Sequence, residues 1–386
     1  MVLPVGLGKI DIKLWIPISS GVLKIISIFI FTNTDPIFYN HSIIYFILLS
    51  LGRCLGLFFY LREPNINELC DDPDKIKEFK KIKYYNYPFF LLSSIFNFLE
   101  LSLANFETIN DGIEISLDLI FINLFSIFIL KTKFYKHQYS VIIISIILTI
   151  CISILEFTDS YTSKEEYIKI GLTILSLIFR SLSIIIDKYI IENRSATVFE
   201  ILFYNGLTTL ILNAIYLTVC SIYEIPKENI FFEDQTLITY NKKRYYDNFF
   251  AYIESINEFE IFNIIIDIIF EFFMQLTFLF TIKYFSPSYI ILIFIIWKIP
   301  LLINEYIISN SFITYLNIIS FCFLLFLNLV FIEIIELNFC GCGKNTKRNI
   351  QLRAQLDALE AEKKIYGDYK DELDNSLISE NKVTIN

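Results

Sequence analysis

Histidine and glycine are scarce in this chain, with 2 and 11 copies in 386 residues, and each scarcity narrows what the protein can do. Two histidines leave no His-based acid–base pair, and the few glycines form no phosphate-cradling loop or nucleophile elbow. The 7 cysteines, at positions 54, 70, 151, 220, 322, 340 and 342, show no metal-ligand or redox spacing. Nothing therefore reads as enzymatic, and neither a metal nor an organic cofactor is expected. Few glycines also mean that close helix packing must lean on serine, alanine and threonine. No small-residue cleavage site precedes the first apolar run, which follows Lys9 and Lys13 and so reads as a retained span rather than a removed signal peptide. The net charge of −9 is distributed between loops and tail and implies no nucleic-acid surface.

Apolar sequence is abundant. Hydrophobic residues make up 55% of the chain and the mean hydropathy of +0.57 is too high for a soluble globular protein. Apolar runs of membrane-spanning length fall at 14–31, 42–62, 87–105, 113–130, 138–157, 167–187, 198–223, 259–282, 287–305 and 312–336. The expected fold is therefore an all-α integral membrane protein of ten transmembrane helices. Lys75, Lys77, Lys80, Lys81 and Lys83 crowd the 63–86 loop, and Lys131, Lys133 and Lys136 the next turn on that side. The short loops 32–41, 106–112, 158–166 and 306–311 hold only Lys164 between them. By the positive-inside rule both termini are then cytoplasmic; the long loop 224–256, with Lys227, Lys242, Lys243 and Arg244, is the exception. Five spans (14–157) followed by five (158–336) give two halves of opposite orientation, the inverted-repeat plan. A faint echo remains in the turns KTKFYKHQY and SNSFITYLN, each set between two spans.

The informative residues are the ionisable ones inside spans. Lys298 lies deep in the ninth run, followed at once by Ile299 and Pro300. A charge near the bilayer centre costs about 2.5–3.5 kcal/mol on insertion scales and should face a protein interior or a wet cavity. Proline there removes a backbone donor and loosens the helix, and interrupted helices at the midplane are how many secondary transporters build their sites. The other cations are Lys24, Arg53 and Arg180; the acids are Glu100, Asp118, Glu200, Asp267 and Glu271. Asp267, Glu271 and Gln275 follow at i, i+4 and i+8, so they share one helix face, which should point inward. Two explanations compete: cations and acids pair off to lock the bundle, or the cations hold an anionic ligand and the acids are exchanged for it.

Phe203-Tyr204-Asn205-Gly206 in the seventh run and Ile295-Ile296-Trp297-Lys298-Ile299-Pro300 in the ninth carry a resemblance. The chain resembles the nucleotide-sugar transporters, solute carrier family 35 in the drug/metabolite transporter superfamily. The GDP-mannose branch carries FYNN in the seventh helix and GALNK, a leucine or isoleucine, and proline in the ninth. Phe203, Tyr204, Asn205, Lys298 and Pro300 match; Gly206 and residues 295–297 depart. The resemblance implies an alternating-access exchanger of a nucleotide sugar, or a similar small anionic metabolite, for a nucleoside monophosphate across a Golgi or endoplasmic reticulum membrane. It implies that Lys298 and Arg180 hold phosphate, that Phe203, Tyr204 and Asn205 line the nucleotide side, and that Asp267, Glu271 and Glu100 serve as counter-charges or coupling sites. The alternatives are a carrier of an unrelated solute and a non-transporting scaffold or complex subunit of the same fold.

The tail, 337–386, is polar and charged. Residues 349–365 carry a thin apolar stripe of Ile350, Leu352, Leu356 and Leu359, a short helix that would lie on the membrane, bind a protein partner, or stay solvated. Cys340 and Cys342 beside the last span are either free thiols or palmitoylation sites. Membrane lipid is the one obligatory partner; a homodimer and a tail-bound protein are both compatible with the sequence.

Overall fold

The computed structural model describes residues 5–7, 14–32, 42–63, 85–104, 111–159, 164–194, 196–223, 239–240, 243–244, 258–309, 312–337 and 350. All of the tail helix at 349–365 except Ile350, the Cys340 and Cys342 pair and most of the 224–256 loop lie outside them. Helices dominate: α1 (Trp15–Thr32), α2 (Ser42–Cys54), α3 (Gly56–Tyr60), α4 (Tyr87–Ala104), α5 (Asp111–Phe128), α6 (Lys136–Asp159), α7 (Lys164–Asn193), α8 (Val198–Tyr223), α9 (Glu258–Tyr284), α10 (Tyr289–Ser309) and α11 (Phe312–Phe331). Among the described residues, five segments are long and apolar enough to cross a membrane: Ile43–Tyr60, Lys136–Ile154, Ile170–Asn193, Val198–Ile222 and Ile261–Tyr284. The first joins α2 and α3 through a tight turn at Leu55, whose N–H bonds the Gly52 carbonyl at 3.1 Å. Two short antiparallel ladders accompany the helices: β1 (Val5–Leu7) with β4 (Ile335–Leu337), and β2 (Thr239–Tyr240) with β3 (Lys243–Arg244). In the first, Val5 lies opposite Leu337, which fastens the start of the chain to the exit of α11.

The helices are arranged inside out relative to a soluble bundle. On α6, Ile143, Ile147, Ile150 and Ile154 face outward at helical spacing, and on α9 so do Ile261, Ile265, Ile269 and Phe273. The interior holds Ser93, Ser94, Ser116, Asn123, Ser126, Ser181, Asn205, Thr209 and Thr281. Several of the hydroxyls are satisfied locally: Ser94 bonds the Phe90 carbonyl at 2.7 Å, Ser126 that of Ile122 at 2.7 Å and Thr209 that of Asn205 at 2.6 Å. A hydroxyl that bonds its own helix can be buried without an unsatisfied group, so serine and threonine serve as small packing residues. Between these positions Phe90, Ile115, Leu119, Ile122, Ile185, Ile201, Ile290 and Ile295 form the main apolar core.

Local chemistry sets the helix ends. Pro17 and Pro88 lie in the first turns of α1 and α4, where a missing N–H costs nothing. Thr197 caps α8, accepting the Glu200 N–H at 3.1 Å, and its hydroxyl donates to Glu63 at 2.8 Å. Pro300 behaves otherwise than its sequence suggests. Helix α10 runs through it without interruption from Tyr289 to Ser309. The ring removes the bond to the Ile296 carbonyl, but α10 packs against α1, α5, α9 and α11, and these neighbours hold its two parts in line.

Lys188 is a buried cap, 6% exposed. Its ammonium donates to the carbonyls of Ile282 at 2.7 Å and Phe285 at 2.9 Å and pairs with Glu192 at 2.9 Å. It thus satisfies carbonyls at the C-terminus of α9, where the helix dipole also favours a cation. Lys188→Met should lower the thermal stability of the detergent-solubilised protein by about 1–3 kcal/mol, the usual penalty for stranding buried acceptors. A melting temperature within experimental error of wild type would refute this role.

Candidate functional site

A cavity of about 270 Å³ opens among α1, α2, α4, α7, α8, α9 and α10. Its polar wall comprises Ser20, Lys24, Arg53, Asn97, Glu100, Arg180, Ser183, Asp187, Asn205, Glu271 and Gln275; Phe278, Phe294 and Trp297 contribute aromatic surface. Helical spacing explains the convergence. Arg180, Ser183 and Asp187 lie at i, i+3 and i+7 on α7, and Glu271 and Gln275 at i and i+4 on α9, so each helix presents one polar stripe to the centre.

Two charge clusters border the cavity. In the first, Arg180 bonds Glu100 at 3.1 Å, Glu114 at 2.7 Å and Asp118 at 2.9 Å. Glu114 reaches in the other direction to Lys298, at 2.6 Å. The cluster ties α4, α5, α7 and α10 together, and its cations also sit over aromatic faces: Arg180 is 5.3 Å from the Phe294 centroid and Lys298 4.6 Å from that of Trp297. In the second, Arg53 on α2 donates to Asn97 on α4 at 2.5 Å and pairs with Glu271 on α9 at 3.4 Å, while Gln275 donates to Glu271 at 2.8 Å.

Asp187 is held differently. Ser93 donates to its Oδ1 at 2.6 Å, and the Asn205 amide lies 3.3 Å and 3.5 Å from its two oxygens. The Ser94 hydroxyl, whose single proton is shared with the Phe90 carbonyl, lies 2.9 Å from the carbonyl oxygen of that amide. The partners of this carboxylate are thus neutral donors on α4 and α8.

The residues singled out from sequence divide between the wall and its surroundings. Arg180, Glu100, Glu271 and Asn205 line the cavity. Lys298 lies behind the wall, buried against Glu114, with its neighbour Trp297 facing the space. Asp267 is buried one turn from Glu271, outside the lining. Phe203 and Tyr204 also stand apart from the lining, in an aromatic cluster beyond it: Tyr204 stacks on Phe90 with centroids 5.1 Å apart, its hydroxyl bonds that of Tyr87 at 3.2 Å, and Phe203 stacks on Tyr60 at 6.2 Å. Helix geometry gives the reason. Successive residues point about 100° apart on a helix, so three adjacent motif residues cannot all face one cavity.

Glu114 and Asp187 are the charged site residues that sequence reasoning missed. Both stand at the edge of an apolar run, where a charge reads as the end of a span. Only the extension of α7 to Asn193 puts Asp187 well inside the bundle. The i, i+4 pair Glu114 and Asp118, and the stripe from Arg180 to Asp187, are the patterns that could have revealed them.

Gly206, the position that departs from FYNN, sits against the backbone of α2. A Cβ there would come within 2.7 Å of the Arg53 Cβ and 2.8 Å of the Cys54 nitrogen. No asparagine fits at this crossing.

No family model and no curated protein matches the chain. Among solved structures, one described only as the crystal structure of a protein aligns with a TM-score of 0.51 and 9% identity, covering 83% of this chain and 98% of that one. At that identity the likeness concerns the fold alone.

Proposed function

We propose that this protein is a multi-pass solute carrier of the drug/metabolite transporter type, working by alternating access on a charged small metabolite. The observation that carries the reading is the cavity itself: charged and amide side chains from several helices converge on one space inside a bundle whose outer face is apolar. Buried charge is costly among apolar helices and is typically retained where a substrate or ion passes.

The ten-span, five-plus-five architecture belongs to this proposal, with α2 and α3 counted as one span. Its support is the packing pattern, which repeats when the halves are exchanged. Helix α4 packs on α7 as α9 packs on α1, α5 on α7 as α10 on α1, and α4 on α8 as α9 on α2. Likewise α5 packs on α6 as α10 does on α11, while the pairs α2 with α8 and α6 with α11 each map onto themselves. The ladder of β1 with β4 adds a second argument, because two paired strands lie on one side of the membrane and the chain between Leu7 and Ile335 then crosses it an even number of times. Cytoplasmic termini and an endomembrane location, Golgi or endoplasmic reticulum, follow from loop charge and from the nucleotide-sugar transporter resemblance.

That resemblance nominates a nucleotide sugar as cargo, with Arg180 the phosphate ligand placed to reach it. The scaffold reading draws on a specific observation too: Arg180 is already clamped by three carboxylates. Counterflow decides between the two. Proteoliposomes preloaded with unlabelled solute should take up the labelled solute faster than empty ones, and Arg53→Gln should remove the difference. Absence of trans-stimulation for nucleotides, nucleotide sugars and amine solutes alike would leave the scaffold.

A further inference from the structure

We propose that the cavity takes a solute bearing a protonated amine, a zwitterion or organic cation, with the Asp187 carboxylate as its counter-ion. The proposal rests on the carrier reading and assigns its cargo class. It starts from which charges in the wall are already used. Arg180 and Glu100 are bonded to each other, as are Arg53 and Glu271. Asp187 has only hydroxyl and amide donors, and among the described residues no cation lies within ion-pair distance of it. It lines the cavity and is 5% exposed, so a ligand there meets a carboxylate that is hydrogen-bonded and oriented, and on which Arg53, already paired with Glu271, acts only from beyond ion-pair distance.

The surrounding charge points the same way. Lys24, Arg53 and Arg180 in the wall are matched by Glu100, Asp187 and Glu271. Behind it, Glu114, Asp118 and Asp267 outnumber Lys298. A nucleotide sugar would bring two phosphate charges into this site while its guanidiniums are held by acids and its one ammonium, Lys24, is under the pull of Asp267 behind the wall. At low effective dielectric that repulsion is strong, whereas an ammonium group is attracted by the same surroundings. Asn205, the one residue matching the family pattern that lines the wall, acquires a definite role, since its amide orients the carboxylate that receives the amine.

The test uses the purified full-length chain in detergent. Its melting temperature is measured with lysine, alanine, putrescine, choline, UDP-glucose, GDP-mannose and GMP, and then the same solutes are offered to proteoliposomes for uptake. A solute that binds only the folded state raises the melting temperature by mass action. At least one amine should do so, and Asp187→Asn should raise the concentration needed by about tenfold or more, the usual effect of losing a charged hydrogen bond. Asp187→Glu, which keeps the charge, should retain binding. If the asparagine variant fails to fold, the class of solute that stabilises the wild type still decides. Stabilisation by nucleotides but not amines overturns the proposal, as does amine binding unchanged in Asp187→Asn, or no response to any amine. Uptake of a nucleotide sugar would overturn this inference while the carrier reading stands; failure of every solute to cross would remove both.

Discussion

Glu114→Leu is expected to be among the most damaging single substitutions in this protein, lowering unfolding stability by about 3–5 kcal/mol, the range for breaking a buried ion pair from one side. Glu114 bridges Arg180 at 2.7 Å and Lys298 at 2.6 Å and is 4% exposed. Its removal takes a carboxylate from two buried cations on two different helices, α7 and α10. Removing the lysine should cost less. In Lys298→Met the Glu114 carboxylate keeps its bond to Arg180, and the methionine stem fills the volume of the lysine stem. The double variant Glu114→Leu, Lys298→Met should therefore recover part of the loss of Glu114→Leu alone. Thermal unfolding of the four proteins in one detergent supplies the cycle. If the two single substitutions cost the same and the double variant shows simple additivity, Glu114 is not the bridge that holds α10 to α7.

Gly206→Ala should be damaging for a steric reason, and Gly206→Asn, which restores the FYNN pattern, worse still. The added Cβ would approach three atoms of Arg53 and Cys54, two of them backbone, at 2.7–2.9 Å. Backbone cannot rotate aside, so α8 must move away from α2. Overpacking of this kind costs about 1–3 kcal/mol and at times more. The displacement would also shift Arg53 from Glu271 and Asn97, so ligand-dependent stabilisation should fall along with the melting temperature. Gly171 on α7 is the control: a Cβ there meets nothing within 4 Å, and Gly171→Ala should be neutral or stabilising by up to about 1 kcal/mol. Equal melting temperatures for the two alanine variants would show that α8 can move off α2 at little cost.

The helices themselves were legible because bilayer thickness and apolar composition act over some twenty residues at once. The run 198–223 matches α8 residue for residue, whereas 167–187 stops short of Asn193 because charge at its end masks continuing helix. The break at Leu55 had no proline to announce it. Pro300 announced an interruption that the helix does not make, since lateral packing overrides a single lost hydrogen bond. The charged residues were recognised as inward-facing, but their partners were not, because an ion pair such as Arg53 with Glu271 spans 218 positions in sequence.

What the sequence determined by itself is the class of molecule and the identity of its expensive residues. Hydropathy fixes apolar helices, and the cost of buried charge tells that Arg53, Arg180, Lys298 and Glu271 must find company. Which company they find is set by how the helices cross and rotate. Tertiary structure put Lys298 behind the wall with Glu114, drew Phe203 and Tyr204 out of the cavity, and brought Asp187 into it on neutral donors. The physical reason is that burial energy depends on the helix alone, whereas pairing and access depend on the rotation and crossing of helices, set by contacts such as Gly206 on Arg53 that no local pattern encodes.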